Sequence, residues 1–418
     1  MGAPIEKTAE KKPDSVEFAG VSIPSALTVA EWPNPYMDLE EYDPEADLMA
    51  INMGPQHPST HGVLRVKLFM DGEICVKAVP YLGYLHRGVE KLCEKLAYVM
   101  IGPIVDKNDY VSPMMNELAV HMAFEKLCKV SVPERAEVMR TIVAELQRIG
   151  SHLLWLGTWG LDLGGAIGGG ASLFMHCFRE REMVMELFEE LTGCRFHYNH
   201  HMVGGQRHDF TVGWEKSVKS FLDLLEDRVD EYENLCENRI FKARSVGVGV
   251  IDPRLAIEHG VSGPVARASG VDHDLRRDAP YCAYDRVEIN VPVRTEGDCW
   301  ARYLVRCAEL RESIRIVRCL IDDVPEGPIA SKVIKLPASV RVTAKEMQYV
   351  YSAIESPRGE LGTFVAGAPR KSEPYRCKIR PPSYHLVSLL PYLCPGQLLS
   401  DIVVVLGSLD PILGEVDR

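Results

Sequence analysis

The sequence predicts an α+β fold that is mainly α, a bundle of long helices flanked by β structure on its N- and C-terminal sides. Three observations carry this. Between residues 114 and 321 apolar side chains recur at spacings of three and four, the period of helices that bury one face. Before that stretch, Asp71-Gly72 separates residues 63–70 from 73–79 as a hairpin turn does, and residues 48–53 read as a third strand. Beyond Pro325 the chain changes to short strands and turns rich in Pro and Gly.

Taken in order, residues 1–45 form a weakly patterned arm of Pro, Glu and Lys, expected to be extended and docked on a partner, or partly disordered. Residues 46–418 are expected to form a single domain: a small antiparallel sheet at 46–87, a helical bundle at 88–324 and a C-terminal β/turn region at 325–418. Within the bundle, 114–130 is amphipathic. Ser131-Val132-Pro133-Glu134 reads as a capping box with proline in the first turn, launching a helix that carries Asp162 near its end. Further helices are expected at 173–191, closing at Thr192-Gly193, at 218–241 and at 300–321. The C-terminal region closes on the apolar stretch 398–409 and a polar tail.

The 418 residues suffice for a sizeable core, and 59 acidic against 47 basic residues give a net charge of -12. That balance argues against nucleic acid as a partner and against a surface held by anionic lipid alone. Twelve cysteines include no CxxC pair, so no iron-sulfur, zinc or hydrogenase-type centre is expected through cysteine. The first eighteen residues lack the apolar core of a signal peptide, which fits a reducing, cytoplasmic setting. No run of eighteen apolar residues predicts a transmembrane helix. The stretch 155–178 comes near, but seven glycines between Gly157 and Gly170 favour a close-packing surface against another subunit or an apolar ligand.

Residues 52–62, NMGPQHPSTHG, place His57 and His61 on a loop shaped by Gly54, Pro55, Pro58 and Gly62. Two imidazoles there point to proton handling, metal ligation or a hydrogen bond to a polar ligand, against a plain turn with incidental histidines. His197, His200, His201 and His208 fall within twelve residues but match no zinc spacing, and a polar hinge between helices accounts for them better than a metal. In Asp109-Tyr110-Val111-Ser112 the aspartate and serine are placed to cap a helix, while the phenol of Tyr110 can donate to a carbonyl oxygen. Asp162 is the one acid between Glu145 and Glu180. A carboxylate in so apolar a stretch is either exposed at a helix end or partnered, and a histidine partner would make a proton relay.

These motifs, together with Gly83-Tyr84-Leu85-His86-Arg87-Gly88, Ser151-His152-Leu153-Leu154-Trp155-Leu156-Gly157-Thr158, Phe178-Arg179-Glu180-Arg181-Glu182, Pro374-Tyr375-Arg376-Cys377-Lys378 and Gly414-Glu415-Val416-Asp417-Arg418, closely resemble one family. It is the quinone-site subunit of respiratory complex I type NADH:quinone oxidoreductases, the D-type subunit of the bacterial enzymes. The resemblance implies the fold of a nickel-iron hydrogenase large subunit without its metal, with Asp109-Tyr110-Val111-Ser112 standing where a hydrogenase has its first CxxC.

By motif match, the quinone headgroup ligands fall on His61 and Tyr110, with His57 on the same loop, and the acidic partner of the histidine falls on Asp162. Arg87 matches the arginine near a neighbouring subunit's terminal iron-sulfur cluster, methylated in mitochondrial relatives. The resemblance further implies quinone as substrate, no metal or flavin on this chain, and electrons arriving from that iron-sulfur subunit. It also implies a C-type neighbour, membrane-arm subunits, and a peripheral place on the cytoplasmic side of the inner membrane, or the matrix side in a mitochondrion. Trp159 stands where a histidine is common and Met202 where an arginine is common. The stretch Pro381-Pro382-Ser383-Tyr384-His385 differs from mitochondrial members and leaves open a relative fed by ferredoxin or another non-NADH donor. A structural interaction subunit, or a hydrogenase-like chain with a cryptic metal site, are the rival readings.

Overall fold

The computed structural model describes residues 15–18, 21–24, 48–165, 168–331 and 340–418. Two compact units divide the chain, Met1–Asp47 and Leu48–Arg418. In the first, β1 (Ser15–Phe18) and β2 (Val21–Pro24) pair antiparallel, with Ser15 opposite Pro24. The rest of the expected arm lies outside the described residues.

The second unit opens with a three-stranded antiparallel sheet, β3 (Met49–Met53), β4 (Arg65–Asp71) and β5 (Ile74–Tyr81), in that order. Asp71 pairs with Ile74 across the expected turn, where Gly72 takes a φ of 59°. Alternation along β4 turns Val66, Leu68 and Met70 into the core. The outer edge of β5 is covered by the C-terminal region: the Cys75 N–H donates to the Gln397 carbonyl at 2.9 Å and the Gly396 N–H to the Cys75 carbonyl at 2.7 Å. The N-terminal sheet and the C-terminal region are therefore joined through one sheet edge.

Two short helices follow, α1 (Val89–Cys93) and α2 (Gly102–Val105), and then the bundle: α3 (Pro113–Cys128), α4 (Glu134–Gly164), α5 (Gly170–Thr192) and α6 (Trp214–Cys236). A small hairpin, β6 (His201–Met202) and β7 (Gly205–Gln206), lies between α5 and α6 in the chain. The capping box does not form. Pro133 occupies the N-cap of α4 with no side-chain cap, and its carbonyl accepts from the Glu137 N–H. Ser131 sits too early to act as the cap, because proline fixes the turn at 133. Within the chain, Gly157 and Gly160 let α4 pack closely on α5. A Cβ on Gly160 would meet Leu173 at 2.8 Å, and one on Gly157 would meet the Phe174 backbone at 3.3 Å.

The helix expected at 218–241 is broken. It ends at Cys236, and Asn238 caps a new helix, α7 (Arg239–Ser245), by accepting from the Phe241 N–H at 2.9 Å. Three short helices, α8 (Pro253–Glu258), α9 (Gly263–Ala268) and α10 (Leu275–Asp278), lead to the long buried α11 (Cys299–Ile321).

The C-terminal strands are longer than the sequence led us to expect: β8 (Gln348–Ser356), β9 (Gly359–Gly367) and β10 (Pro374–Arg380) form an antiparallel sheet packed on α3. Nor is the rest of this region turn-like. It holds α12 (Pro382–Val387), α13 (Leu390–Leu393), α14 (Leu399–Leu409) and α15 (Leu413–Asp417), with the apolar stretch at 398–409 forming a helix. A buried ionic network fastens α4, α9, α10, α11 and β8 together: Glu145 faces Arg148 and Arg276, and Arg267 bridges Glu309 and Glu355. Such a network fixes geometry more than it adds net stability, because each ion has been taken out of water.

Candidate functional site

The 54–62 loop is tightly determined. His57 caps a single 3-10 turn, Pro58–Thr60, its Nδ1 accepting from the Ser59 N–H, while the Thr60 hydroxyl donates back to the His57 carbonyl at 2.8 Å. His61 ends that turn in the left-handed region, φ 50°, and Gly62 follows at 131°. The loop thus turns His61 inward onto the last full turn of α4, where its Nε2 meets Asp162 Oδ2 at 2.6 Å. The two side chains are only 13% and 9% exposed.

Burial pulls the imidazole's affinity for protons down, but the Asp162 hydrogen bond and charge, with Asp410 beyond, outweigh it and raise its pKa. Burial also raises Asp162, opposed by His61 and Arg244. Both members of the pair are therefore proton-seeking, and the pair holds one proton more firmly than an exposed histidine would.

α14 closes over this pair. The Trp155 indole donates to the Gly407 carbonyl at 2.8 Å and the Trp159 indole to the Val404 carbonyl at 3.2 Å, binding α4 to α14. At Gly407 a Cβ would lie 2.4 Å from Asp162 Oδ2 and 3.2 Å from His61 Nε2. Carbonyls at the end of α14 are satisfied by buried arginines: Arg306 donates to Ser408, and Arg358 to Asp410.

Tyr110 approaches from the other side. Asp109 accepts from the Val111 and Ser112 N–H groups, and its second oxygen accepts from the Ser112 hydroxyl and from Arg358 at 2.7 Å. Ser112 stands at the helix N-cap without capping through its side chain; the aspartate supplies the turn instead, as part of a buried ion pair. Between these anchors, the Tyr110 hydroxyl lies 3.9 Å from where a Gly62 Cβ would be, beside His61, and has no hydrogen-bond partner among the described residues. Its pKa is raised by burial and by the Asp109 charge, against Arg358, so the phenol stays protonated.

His61, Asp162 and Tyr110 are thus brought together. His57 is exposed and lines a neighbouring apolar cavity of about 530 Å³ with Met49, Met53, Met70, Leu398 and Val403. Arg87 lies on the adjoining 82–88 loop. Its guanidinium donates to the Ile104 carbonyl and to Asn108 Oδ1 at 3.0 Å, and Asp417 holds the loop by accepting from the Gly83 and Leu85 N–H groups.

Of the histidines of 197–208, His200 and His201 are buried at a small hairpin, while His197 is half-buried and His208 exposed. β6 pairs with β7, His201 Nδ1 meets Gln206 Oε1 at 2.8 Å, and His200 stacks on His208. Burial first, then the His208 and Arg140 charges, push His200 down to about 3. Among the described residues no group of three or more His, Cys, Asp or Glu is placed to hold a metal ion. Nor is any described helix long and apolar enough to cross a membrane.

Sequence reasoning missed Gly407, Asp410, Arg358 and Arg244. Asp410 alone left a usable signal, as an acid closing the apolar stretch 402–409, the argument that singled out Asp162.

Comparison with known proteins decides the family. Residues 168–418 match the family described as respiratory-chain NADH dehydrogenase, 49 Kd subunit. One of the D-type subunits of NADH-quinone oxidoreductase from Koribacter versatilis is 46% identical over 391 residues, covering 88% of this chain and 96% of that protein. The chain belongs to this family. The D-type subunit of Geobacter sulfurreducens is 41% identical over 398 residues, 89% of this chain and 99% of its own length, and that of Geobacillus kaustophilus 44% over 371 residues, 88% and 98%. Membership of this family accounts for the mainly α fold with terminal sheets, and for a place in an oxidoreductase complex.

Proposed function

We propose that this protein binds a quinone headgroup between His61 and Tyr110 and supplies the protons for its reduction. The observation that carries the reading is the His61–Asp162 pair, 2.6 Å apart, with the Tyr110 hydroxyl, which has no hydrogen-bond partner among the described residues, beside the same loop. Reduction of a quinone to a quinol adds two electrons and two protons. Electrons come, in this reading, from a partner subunit's iron-sulfur cluster facing Arg87, and the complex is fed by NADH and peripheral to the cytoplasmic side of its membrane.

The chain's own part is positioning and proton supply. Two donors fixed in a site of low dielectric favour charge developing on the two carbonyl oxygens, and they need no reorganisation when it arrives. An imidazolium held protonated by Asp162 donates to one oxygen; a phenol kept neutral by burial donates to the other. The apolar cavity beside His57 suits the tail or the approach of such a substrate.

A photoreactive quinone analogue bound to the intact complex tests this. Labelled peptides are expected from residues 54–62 or 108–112, with labelling suppressed by excess quinone. Labelling confined to other subunits would overturn the reading.

A further inference from the structure

The strongest unused feature of the site is Arg244. It lies on α7, the helix created by the break at Asn238, and α7 packs on the end of α4: a Cβ on Gly164 would meet the Phe241 ring at 2.6 Å. From there the guanidinium reaches two elements at once. Its Nη1 donates to the carbonyls of Asp162 at 2.8 Å and Leu163 at 2.5 Å, in the last turn of α4. Its Nη2 donates to the Ser400 carbonyl at 2.7 Å, in the first turn of α14.

We propose that Arg244 is a positioning residue for the His61–Asp162 pair: it straps the end of α4, which bears Asp162, to α14, which bears Gly407, and sets a fixed positive charge beside the pair. The inference rests on the reading of that pair as the proton source. Its geometric half follows from the bonds above. α14 must sit at one distance from α4 for Gly407 to clear Asp162 while still closing over it, and Arg244 bonds to the backbone of both helices.

The electrostatic half has a sign. The charged groups facing the pair are Asp410 at the C-terminal end of α14, which favours protonated His61, and Arg244, which opposes protonation of Asp162. Asp401 faces the guanidinium at 3.9 Å and partly offsets it. The Tyr110 phenol, on the remaining side, is neutral. Removing the cation should therefore let the pair hold its proton to higher pH, the opposite of removing Asp162.

The test uses the intact complex with Arg244→Gln, which keeps an N–H donor and loses the charge, and Arg244→Lys, which keeps the charge and loses the fork. With Gln, quinone turnover is expected to fall about tenfold and the alkaline limb of its pH profile to move upward. With Lys the limb should stay in place while turnover recovers only in part. Unchanged turnover and limb in the Gln variant would overturn the proposal. So would equal losses in both variants with the limb unmoved, which would make Arg244 a strap only, and so would failure of both to assemble. Asp162→Asn, run alongside, separates the two levels: if it leaves turnover intact, the reading of the pair fails and not merely the role of Arg244.

Discussion

Gly407 and Asp162 approach so closely that a methyl group on the glycine would lie 2.4 Å from the carboxylate oxygen. Nothing at that position except hydrogen lets α14 close over the pair while two tryptophan indoles bind its backbone to α4. Gly407→Ala must therefore push either the carboxylate or the helix. We expect a loss of about 1–3 kcal/mol in stability, as for other overpacked contacts. Quinone turnover should fall at least tenfold in assembled complex. Thermal unfolding and turnover of the same preparation check both, and a fully active variant would show that the closure is not needed.

Tyr110→Phe preserves the ring and removes only the hydroxyl. Since that hydroxyl has no partner among the described residues, its loss leaves no buried group stranded, and stability should change little. The catalytic cost should be about 100-fold in turnover, the lower end for a positioned proton donor. Assembly is followed by co-purification and activity by quinone reduction. Wild-type turnover in the assembled variant would remove Tyr110 from the mechanism.

The sequence showed much of this architecture because the relevant signals are local. Asp71-Gly72 determines a hairpin by its own turn chemistry, and the spacing of Ile142, Leu146, Ile149 and Leu153 determines the buried face of α4 by itself. The site was legible only where local composition was odd: two histidines on a constrained loop, and one acid in an apolar stretch. That they meet needed the family resemblance, since they stand 101 residues apart. Arg358, Arg244 and Gly407 left no comparable trace, because their roles come from long-range packing. Ser131 shows the converse error, a local motif overridden by the fixed φ of the proline inside it.

His121 and His200 make the fold sensitive to acid. Both are pushed down to about 3, His121 by burial and then by the Arg140 and Arg207 charges, His200 by burial, His208 and Arg140. The unfolded chain takes up their protons near pH 6.5, whereas the native chain resists until about 3, so the unfolded state binds more protons in that window. Stability falls as pH drops through it, by about 1.4 kcal/mol per unit for each histidine. His200→Phe should lower the slope of the urea midpoint between about pH 6 and 4 by the equivalent of roughly one proton. An unchanged slope would mean that His200 does not resist protonation in the native state.

The last prediction concerns the pair itself. Asp162 holds His61 protonated above the ordinary histidine range, so the donor remains charged as pH rises until the raised pKa is passed. In Asp162→Asn the hydrogen bond weakens and the charge is gone, leaving burial to dominate, and His61 should lose its proton at lower pH. Turnover should then fall at neutral pH, with the alkaline limb of the profile moved downward, while reduction of the iron-sulfur cluster proposed as the electron donor is unaffected. Linkage gives an independent check with the same sign. A histidine whose native pKa is raised stabilises the fold fully below about pH 6.5 and loses that contribution as pH climbs through the raised value. Asp162→Asn should flatten that alkaline loss. His61→Gln and Asp162→Asn should also be strongly non-additive, because removing either member leaves the other with nothing to do. Kinetics of the two single variants and the double variant across pH decide it: losses that simply multiply would show that His61 and Asp162 act apart, and that their contact is structural.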